Sequence, residues 1–187
     1  MRLLLVRPTG GGKSAVRDTV GVILAGIVLT ISPLLSLAAN QTDKVGRQAS
    51  QEFANVMSFH LDEIKDRTEQ LAVAASVSNL DLNTTQTVFL FASPQAFVNN
   101  PVWRKLLYSI IQKKMLQFIA IDEIHLFVHF ARSFCQEFAW LKLYLFSKLQ
   151  LRGSSSRTTV PLLFMTATCN KSILKNVYLL SGLQFPF

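Results

Sequence analysis

The stretch LLLVRPTGGGKS, residues 3–14, sets an apolar run before a glycine-rich turn that ends in a lysine and a serine. The run from Leu3 to Val6 is predicted to be a buried strand, because Arg7 and Pro8 bound it. A helix is predicted over residues 14–25. A glycine-rich loop between a strand and a helix can hold a phosphate, because its N–H groups turn toward one anion at the positive end of the helix dipole. The stretch therefore predicts an α/β fold with a phosphate-binding loop.

The loop PTGGGKS carries the residues that would bind the phosphates, namely Thr9, Gly10, Gly11, Gly12, Lys13 and Ser14. Lys13 would place a point charge on the β- and γ-phosphates, and the Ser14 hydroxyl would reach Mg²⁺. The match to the pattern GxxxxGK[ST] is imperfect, because Arg7 stands where the pattern has glycine. The alternative is a flexible basic turn.

Composition favours one compact domain. Half of the 187 residues are hydrophobic and 16% are charged, which excludes a disordered tail. The net charge of +8 favours polyanionic partners such as nucleic acid. The two cysteines belong to no CxxC or Cys/His cluster, which argues against a disulfide framework or a structural zinc site and favours a reducing, intracellular compartment.

Strands and helices are predicted to alternate along the chain. Strands are predicted over residues 3–6, 27–31, 56–59, 87–92, 116–121 and 161–165, and helices over 14–25, 34–48, 61–80 and 102–114. An aromatic-rich segment then extends to Leu151, and a loop is predicted over 152–159. This alternation indicates a parallel sheet with helices on both faces.

The run FIAIDEIH, residues 118–125, ends a predicted strand in two acids. A carboxylate at the carboxyl end of such a strand faces the crevice where open α/β sheets bind ligands. We expect the phosphate loop to lie beside it on a neighbouring strand, with Asp122 holding Mg²⁺ and Glu123 orienting and deprotonating the attacking water. Either acid alone could equally be an ordinary solvated residue.

Five segments in collinear order resemble motifs I, Ia, Ib, II and III of superfamily 2 helicases, and most closely the RecQ group. They are PTGGGKS, ISPLLSLAANQ, FASPQAF, AIDEIH and FMTAT. The resemblance implies the first RecA-like lobe of an ATP-dependent DNA helicase, a P-loop NTPase fold that uses ATP and Mg²⁺ on single-stranded or forked DNA. It also implies 3′ to 5′ unwinding, a nuclear location, and work in DNA repair and recombination.

The same resemblance assigns further residues. His125 would link the nucleotide site to motif III, where Thr166 and Thr168 would hydrogen-bond across to motif II. Ser32, Pro33, Ser93 and Pro94 would contact DNA phosphates, although these residues can also be helix caps with prolines in the first turn. Phe130 and Phe134 would stack on bases from an aromatic loop after motif II, or else belong to a helix core. In the family this loop couples single-strand binding to ATP hydrolysis, and this sequence departs from the family there at His129, Arg132 and Cys135.

The family works with two lobes, whereas this sequence ends soon after motif III. We therefore expect one incomplete lobe over residues 1–170, a C-terminal remnant over 171–187, and no second lobe in this chain. Two alternatives remain open. One is a binding module that holds nucleotide or single-stranded DNA without hydrolysis. The other is a membrane-anchored or secreted protein, because the uncharged stretch from Thr19 to Ala39 is long enough to span a bilayer; the main reading expects no membrane.

Overall fold

The computed structural model describes residues 2–33, 55–81, 86–126, 145 and 160–175. Six strands occur in these ranges at the predicted places. The first of them was predicted to be buried, but Leu3 and Val6 are 51% and 45% exposed, because this strand lies at the edge of the sheet. The strands are β1 (Arg2–Val6), β2 (Gly26–Ile31), β3 (Val56–His60), β4 (Thr87–Ala92), β5 (Leu116–Ile121) and β6 (Leu162–Thr166). The helices are α1 (Lys13–Leu24), α2 (Arg67–Ser78), α3 (Pro94–Asn99) and α4 (Pro101–Gln112).

The strands form one parallel sheet in the order β1-β6-β5-β2-β4-β3. The central strands β2 and β4 are buried along their whole length, which explains why their sequences are continuous apolar runs. All six carboxyl ends meet at one edge of the sheet. The α/β fold predicted from the sequence is confirmed.

Helices cover both faces of the sheet. On one face, α4 inserts Trp103, Leu107 and Ile110 into the larger hydrophobic core, which also includes Val77 of α2. On the other face, α1 approaches so closely that a Cβ at Gly21 would lie 2.7 Å from the ring of Phe89. The two layers hold the loops at the carboxyl edge in fixed positions.

The structure differs from the prediction at one predicted helix and at one helix that was not predicted. The helix expected over residues 61–80 begins only at Arg67, because Asp66 caps it by accepting a hydrogen bond from the backbone N–H of Glu69 at 2.9 Å. The short helix α3, absent from the predicted element list, is capped by Ser93. The predicted helix over 34–48 and loop over 152–159 lie outside the described residues, as does the aromatic-rich segment except for Leu145, which is buried in the core.

The uncharged stretch that suggested a membrane span divides into two elements. Its first part belongs to α1, and Gly26–Ile31 is the fully buried strand β2. In the part of the chain that the structure describes, no helix is both long enough and apolar enough to cross a bilayer.

Candidate functional site

The glycine-rich loop forms a tight cradle between β1 and α1. Gly10 and Gly12 have φ angles of 76° and 82°, a left-handed region that glycine adopts without strain. At Gly11 the constraint is space, because a Cβ there would lie 2.8 Å from the carbonyl oxygen of Pro8. Gly12 caps α1 without a side-chain hydrogen bond. The first N–H groups of α1 therefore receive no side-chain cap, an arrangement suited to an anion.

Lys13 folds back over this cradle. Its side-chain Nζ donates to the carbonyl oxygens of Arg7 at 3.0 Å and Pro8 at 3.4 Å, and the residue is 9% exposed. The ammonium is thus held at the mouth of the loop by backbone oxygens. Ser14 follows it at the start of α1 and is half-buried.

The paired acids lie at the carboxyl end of β5. Asp122 is 3% exposed, and its Oδ1 accepts a hydrogen bond from the backbone N–H of Glu123 at 2.9 Å. Glu123 has a φ angle of 47°, a strained conformation for a residue with a side chain. Backbone strain of this kind is typical of functional positions, where surrounding contacts enforce it.

The strand next to β1, which leads into the phosphate loop, is β6 and not the expected β5. We predicted that β1 and β5 would be neighbours, but β6 lies between them. The prediction was wrong because the order of strands along the chain does not fix their order in a sheet. As a result, the FMTAT segment lies between the phosphate loop and the paired acids.

Thr166, at the end of β6, joins the two neighbouring parts of the site. Its Oγ1 donates to the carbonyl oxygen of Thr168 at 2.8 Å and lies 2.9 Å from Nδ1 of His125. The same ring nitrogen lies 3.3 Å from Oε2 of Glu123. On the other side, the carbonyl oxygen of Thr166 accepts from the backbone N–H of Arg7 at 3.1 Å. The structure therefore brings His125, Thr166 and Thr168 together.

Two side chains thus approach the same ring nitrogen of His125, the Thr166 hydroxyl at 2.9 Å and the Glu123 carboxylate at 3.3 Å. The tautomer of the ring decides whether Nδ1 donates to the Thr166 hydroxyl or accepts from it.

Sequence reasoning missed a charged pair beneath the loop. Arg17 is fully buried, lies 4.9 Å from the ring centroid of Phe91, and pairs with Asp18 through Nη2 and Oδ1 at 2.6 Å. Burial raises the pKa of the Asp18 carboxyl and the charge of Asp122 adds to the increase, whereas Arg17 lowers it. The available signal was the spacing of Lys13, Arg17 and Gly21, which puts all three on one helix face.

Oxygen donors lie both on α1 and at the end of β5. The charge of Asp122 makes the smallest contribution to the raised pKa of Asp18. Ser14 precedes Asp18 by four residues and shares its helix face. The Ser14 hydroxyl and the Asp122 carboxylate are hard oxygen donors of the kind that Mg²⁺ prefers. Within the described ranges, no group of three or more His, Cys, Asp or Glu residues could hold a metal by itself.

The residues expected to contact nucleic acid lie at the ends of β2 and β4. Ser32 is buried, and its backbone N–H donates to the carbonyl oxygen of Ala92 at 3.0 Å. Ser93 caps α3 with Pro94 in the first turn, as the capping alternative predicts. Its hydroxyl hydrogen is directed to Asp62, whose Oδ2 also accepts from the Ser93 backbone N–H at 2.7 Å. Pro33 is half-buried, while Phe130 and Phe134 lie outside the described residues.

The sequence is similar to DNA helicases over most of its length. It is 28% identical over 179 residues to the ATP-dependent DNA helicase hus2/rqh1 of Schizosaccharomyces pombe, covering 94% of this chain and 12% of that protein. It is 29% identical over 168 residues to the ATP-dependent DNA helicase RecQ of Synechocystis, covering 90% of this chain and 31% of that protein. No protein-family model matches the chain. The chain thus spans less than a third of either relative.

Proposed function

We propose that this chain, a RecQ-like helicase region, is the ATP-binding lobe of an ATP-dependent DNA helicase. One observation carries the proposal: the carbonyl oxygens of Arg7 and Pro8 hold the Lys13 ammonium at the mouth of the glycine loop, at the sheet edge where Asp122 also lies. The helix that follows the loop begins without a side-chain cap. Thr9 and the residues through Ser14 would bind the phosphates. A γ-phosphate would replace the carbonyl oxygens of Arg7 and Pro8 as the partner of Lys13.

Mg²⁺ fits the oxygen donors of this edge. The ion is usually held by one or two carboxylates together with substrate phosphates, so the absence of a larger acidic cluster in the described residues agrees with such a site. Ser14 and Asp122 would hold it. When bound, Mg²⁺ would neutralise charge on the phosphates. Glu123 would then orient and deprotonate the attacking water.

His125 and Thr166 would couple the nucleotide to the rest of the lobe. The chain of contacts runs from Glu123 through His125 to Thr166, and from Thr166 back to Arg7 of the phosphate loop. A movement of Glu123 upon nucleotide binding would therefore be transmitted to the end of β6 and, through it, to the end of β1. The carbonyl oxygen of Thr168 accepts a hydrogen bond from the Thr166 hydroxyl, and Thr168 would extend this coupling toward the DNA.

DNA, single-stranded or forked, would bind along the ends of β2 and β4. Ser32 and Pro33 would contact phosphates there together with Ser93 and Pro94, and Phe130 and Phe134 would stack on bases. Ser93 would contribute through the start of α3, because its hydroxyl hydrogen is directed to Asp62. Action on DNA supports an intracellular and, in a eukaryote, nuclear location, with repair and recombination as the processes served.

The lobe, residues 1–170 with a remnant over 171–187, would need a second RecA-like lobe. Arginine supplied from outside a nucleotide site raises phosphoryl-transfer rates by roughly 10³–10⁵. We therefore expect the isolated chain to bind ATP weakly and to hydrolyse it slowly. A DNA-stimulated turnover of several per second would contradict this expectation. Complete lack of hydrolysis, with retained nucleotide or DNA binding, would favour the non-catalytic binding module.

Lys13→Ala tests the nucleotide site. Titration of a fluorescent ADP analogue should show at least about a tenfold loss of affinity, because the variant removes the one cation held within the cradle. Lys171→Ala is the matched control, since Lys171 is exposed on the helical turn over residues 171–175. Equal affinity of the wild type and Lys13→Ala would show that the loop is not a phosphate site.

A further inference from the structure

A groove of about 360 Å³ runs between α2 and α4, away from the phosphate loop. Its walls are mostly apolar, including Leu71 and Ala74 of α2 and Val102 and Leu106 of α4. The volume is near the lower limit of the roughly 300–1,000 Å³ found for ligand sites. It has room for one or two large apolar side chains.

The outward face of α2 is unusual for a surface helix. A helix that faces solvent normally carries charged or polar residues on its outer side. Here the last eight residues of α2 read LAVAASVS without a charge. Of these, Val77 is buried and Val73 and Ala74 pack against the core, whereas Leu71, which lines the groove, is 52% exposed. The exposed side of this part of α2 is therefore uncharged and carries one large apolar side chain at the groove.

Two cations lie along the same groove. Arg67 begins α2 and Lys105 belongs to the second turn of α4, and among the residues that the structure describes no carboxylate lines the groove. Within the described part of the chain, neither cation forms an ion pair with an acid. Asp66 and Glu69 cap and follow the start of α2 but do not line the groove.

The direction of the helices defines the two ends of the groove. Both α2 and α4 connect parallel strands, so both run opposite to the sheet and place their N-terminal ends at its carboxyl edge. Side chains of Asp66 and Asn100 cap these helix starts, so the positive charge at this end of the groove is that of Arg67 and Lys105. An occupant with negative charge at these two cations and an apolar part along the groove would be complementary.

We propose that the groove between α2 and α4 docks an acidic peptide segment of a partner protein, with carboxylates at Arg67 and Lys105 and apolar side chains between the helices. A peptide fits better than nucleic acid, because phosphates would meet only two cations while the apolar walls gained no partner. The inference does not depend on nucleotide binding, since none of the groove residues belongs to the phosphate loop.

The probe is a fluorescein-labelled synthetic dodecapeptide with two aspartates followed by a leucine and a phenylalanine. Its binding to the full chain is measured by fluorescence polarisation. A second peptide, with asparagine in place of aspartate, should bind about tenfold more weakly, because it lacks the charges. Absence of binding by the acidic peptide would overturn the proposal.

Variants locate the binding to the groove. Arg67→Glu combined with Lys105→Glu should weaken the acidic peptide at least about tenfold, and Leu71→Ser should weaken both peptides. Lys171→Glu combined with Lys175→Glu makes the same charge change on another exposed turn and should leave affinity unchanged. Circular dichroism checks that each variant is folded; the mutated side chains are exposed. If both double variants lost peptide affinity equally, the net charge of the protein alone would attract the peptide. That outcome would refute the site.

An oligothymidine of the same length separates peptide from nucleic acid. If Arg67→Glu with Lys105→Glu abolished oligothymidine binding and left the peptide unaffected, the groove would be a DNA surface and the proposal would be wrong. Loss of peptide binding with unchanged nucleotide affinity would support the groove independently of the phosphate loop.

Discussion

Gly21→Ala tests how tightly α1 is held against the sheet. A Cβ at this position would lie 2.7 Å from Cε1 and Cζ of Phe89 and 3.0 Å from Cγ2 of Val28. Phe89 and Val28 are fully buried, so neither side chain can move away easily. In an exposed helix the same change would stabilise by about 1 kcal/mol, through helix propensity. Overpacking costs up to about 3 kcal/mol, and a 2.7 Å approach to a fully buried ring places this site in the upper part of the range, at about 2–3 kcal/mol. After the propensity gain is subtracted, we expect a net loss of about 1–2 kcal/mol.

Urea denaturation measures this loss, with Thr19→Ala as the control. Thr19 is exposed on the same helix, so its replacement should stabilise by about 0.5 kcal/mol, through propensity alone. Combining Gly21→Ala with Phe89→Leu should cost less than the sum of the two single changes, because the smaller side chain relieves the clash. Nucleotide affinity should also fall in Gly21→Ala, since α1 carries Lys13. If Gly21→Ala is as stable as the wild type or more so, the close approach of α1 is refuted.

Two further changes test the site. Thr166→Val removes the hydroxyl between His125 and Thr168 and should lower the free energy of unfolding in urea by about 1 kcal/mol, because both partners can reach water. Nucleotide affinity should stay near that of the wild type. A loss of affinity as large as that of Lys13→Ala would contradict this expectation. Arg17→Met should lower the free energy of unfolding by about 2 kcal/mol at neutral pH, because Asp18 loses its buried partner. The loss should be smaller in combination with Asp18→Asn, since that change removes the unpaired charge. Burial raises the pKa of Asp18, and the nearby Arg17 lowers it by favouring the charged carboxylate. Arg17 therefore stabilises the folded protein only when Asp18 is ionised, so the stability lost in Arg17→Met should grow as the pH rises through the Asp18 pKa. A loss that is the same from acid to neutral pH would refute the pairing.

Strands and glycine-rich turns were predictable because their signals are local. Gly26–Ile31 and Thr87–Ala92 are apolar throughout, and the structure buries every residue of both. The start of α2 was also within reach of the sequence. Asp66 followed three residues later by Glu69 is the pattern of a helix cap, but the charged run on either side of it reads as one continuous helix.

The order of strands could not be predicted in the same way. FMTAT occurs last among the motifs, yet its strand pairs with β1 on one side and β5 on the other. Crossover connections decide which strands become neighbours, and their paths depend on packing between distant segments. The buried pair of Arg17 and Asp18 was missed for a related reason. A helical pattern marks charged residues as solvent-facing unless the sheet beneath them is known.

The insertion of β6 changes what the site can do. If β1 and β5 were neighbours, the phosphate loop and the paired acids would face each other directly, and FMTAT would lie outside them. With β6 between them, one residue, Thr166, accepts a hydrogen bond from Arg7 of the loop and lies within hydrogen-bond distance of His125. Its contact with the loop uses the backbone carbonyl, whereas its contact with His125 uses the side chain. Substitution of the side chain can therefore separate coupling from nucleotide binding, which no substitution within the loop itself can do.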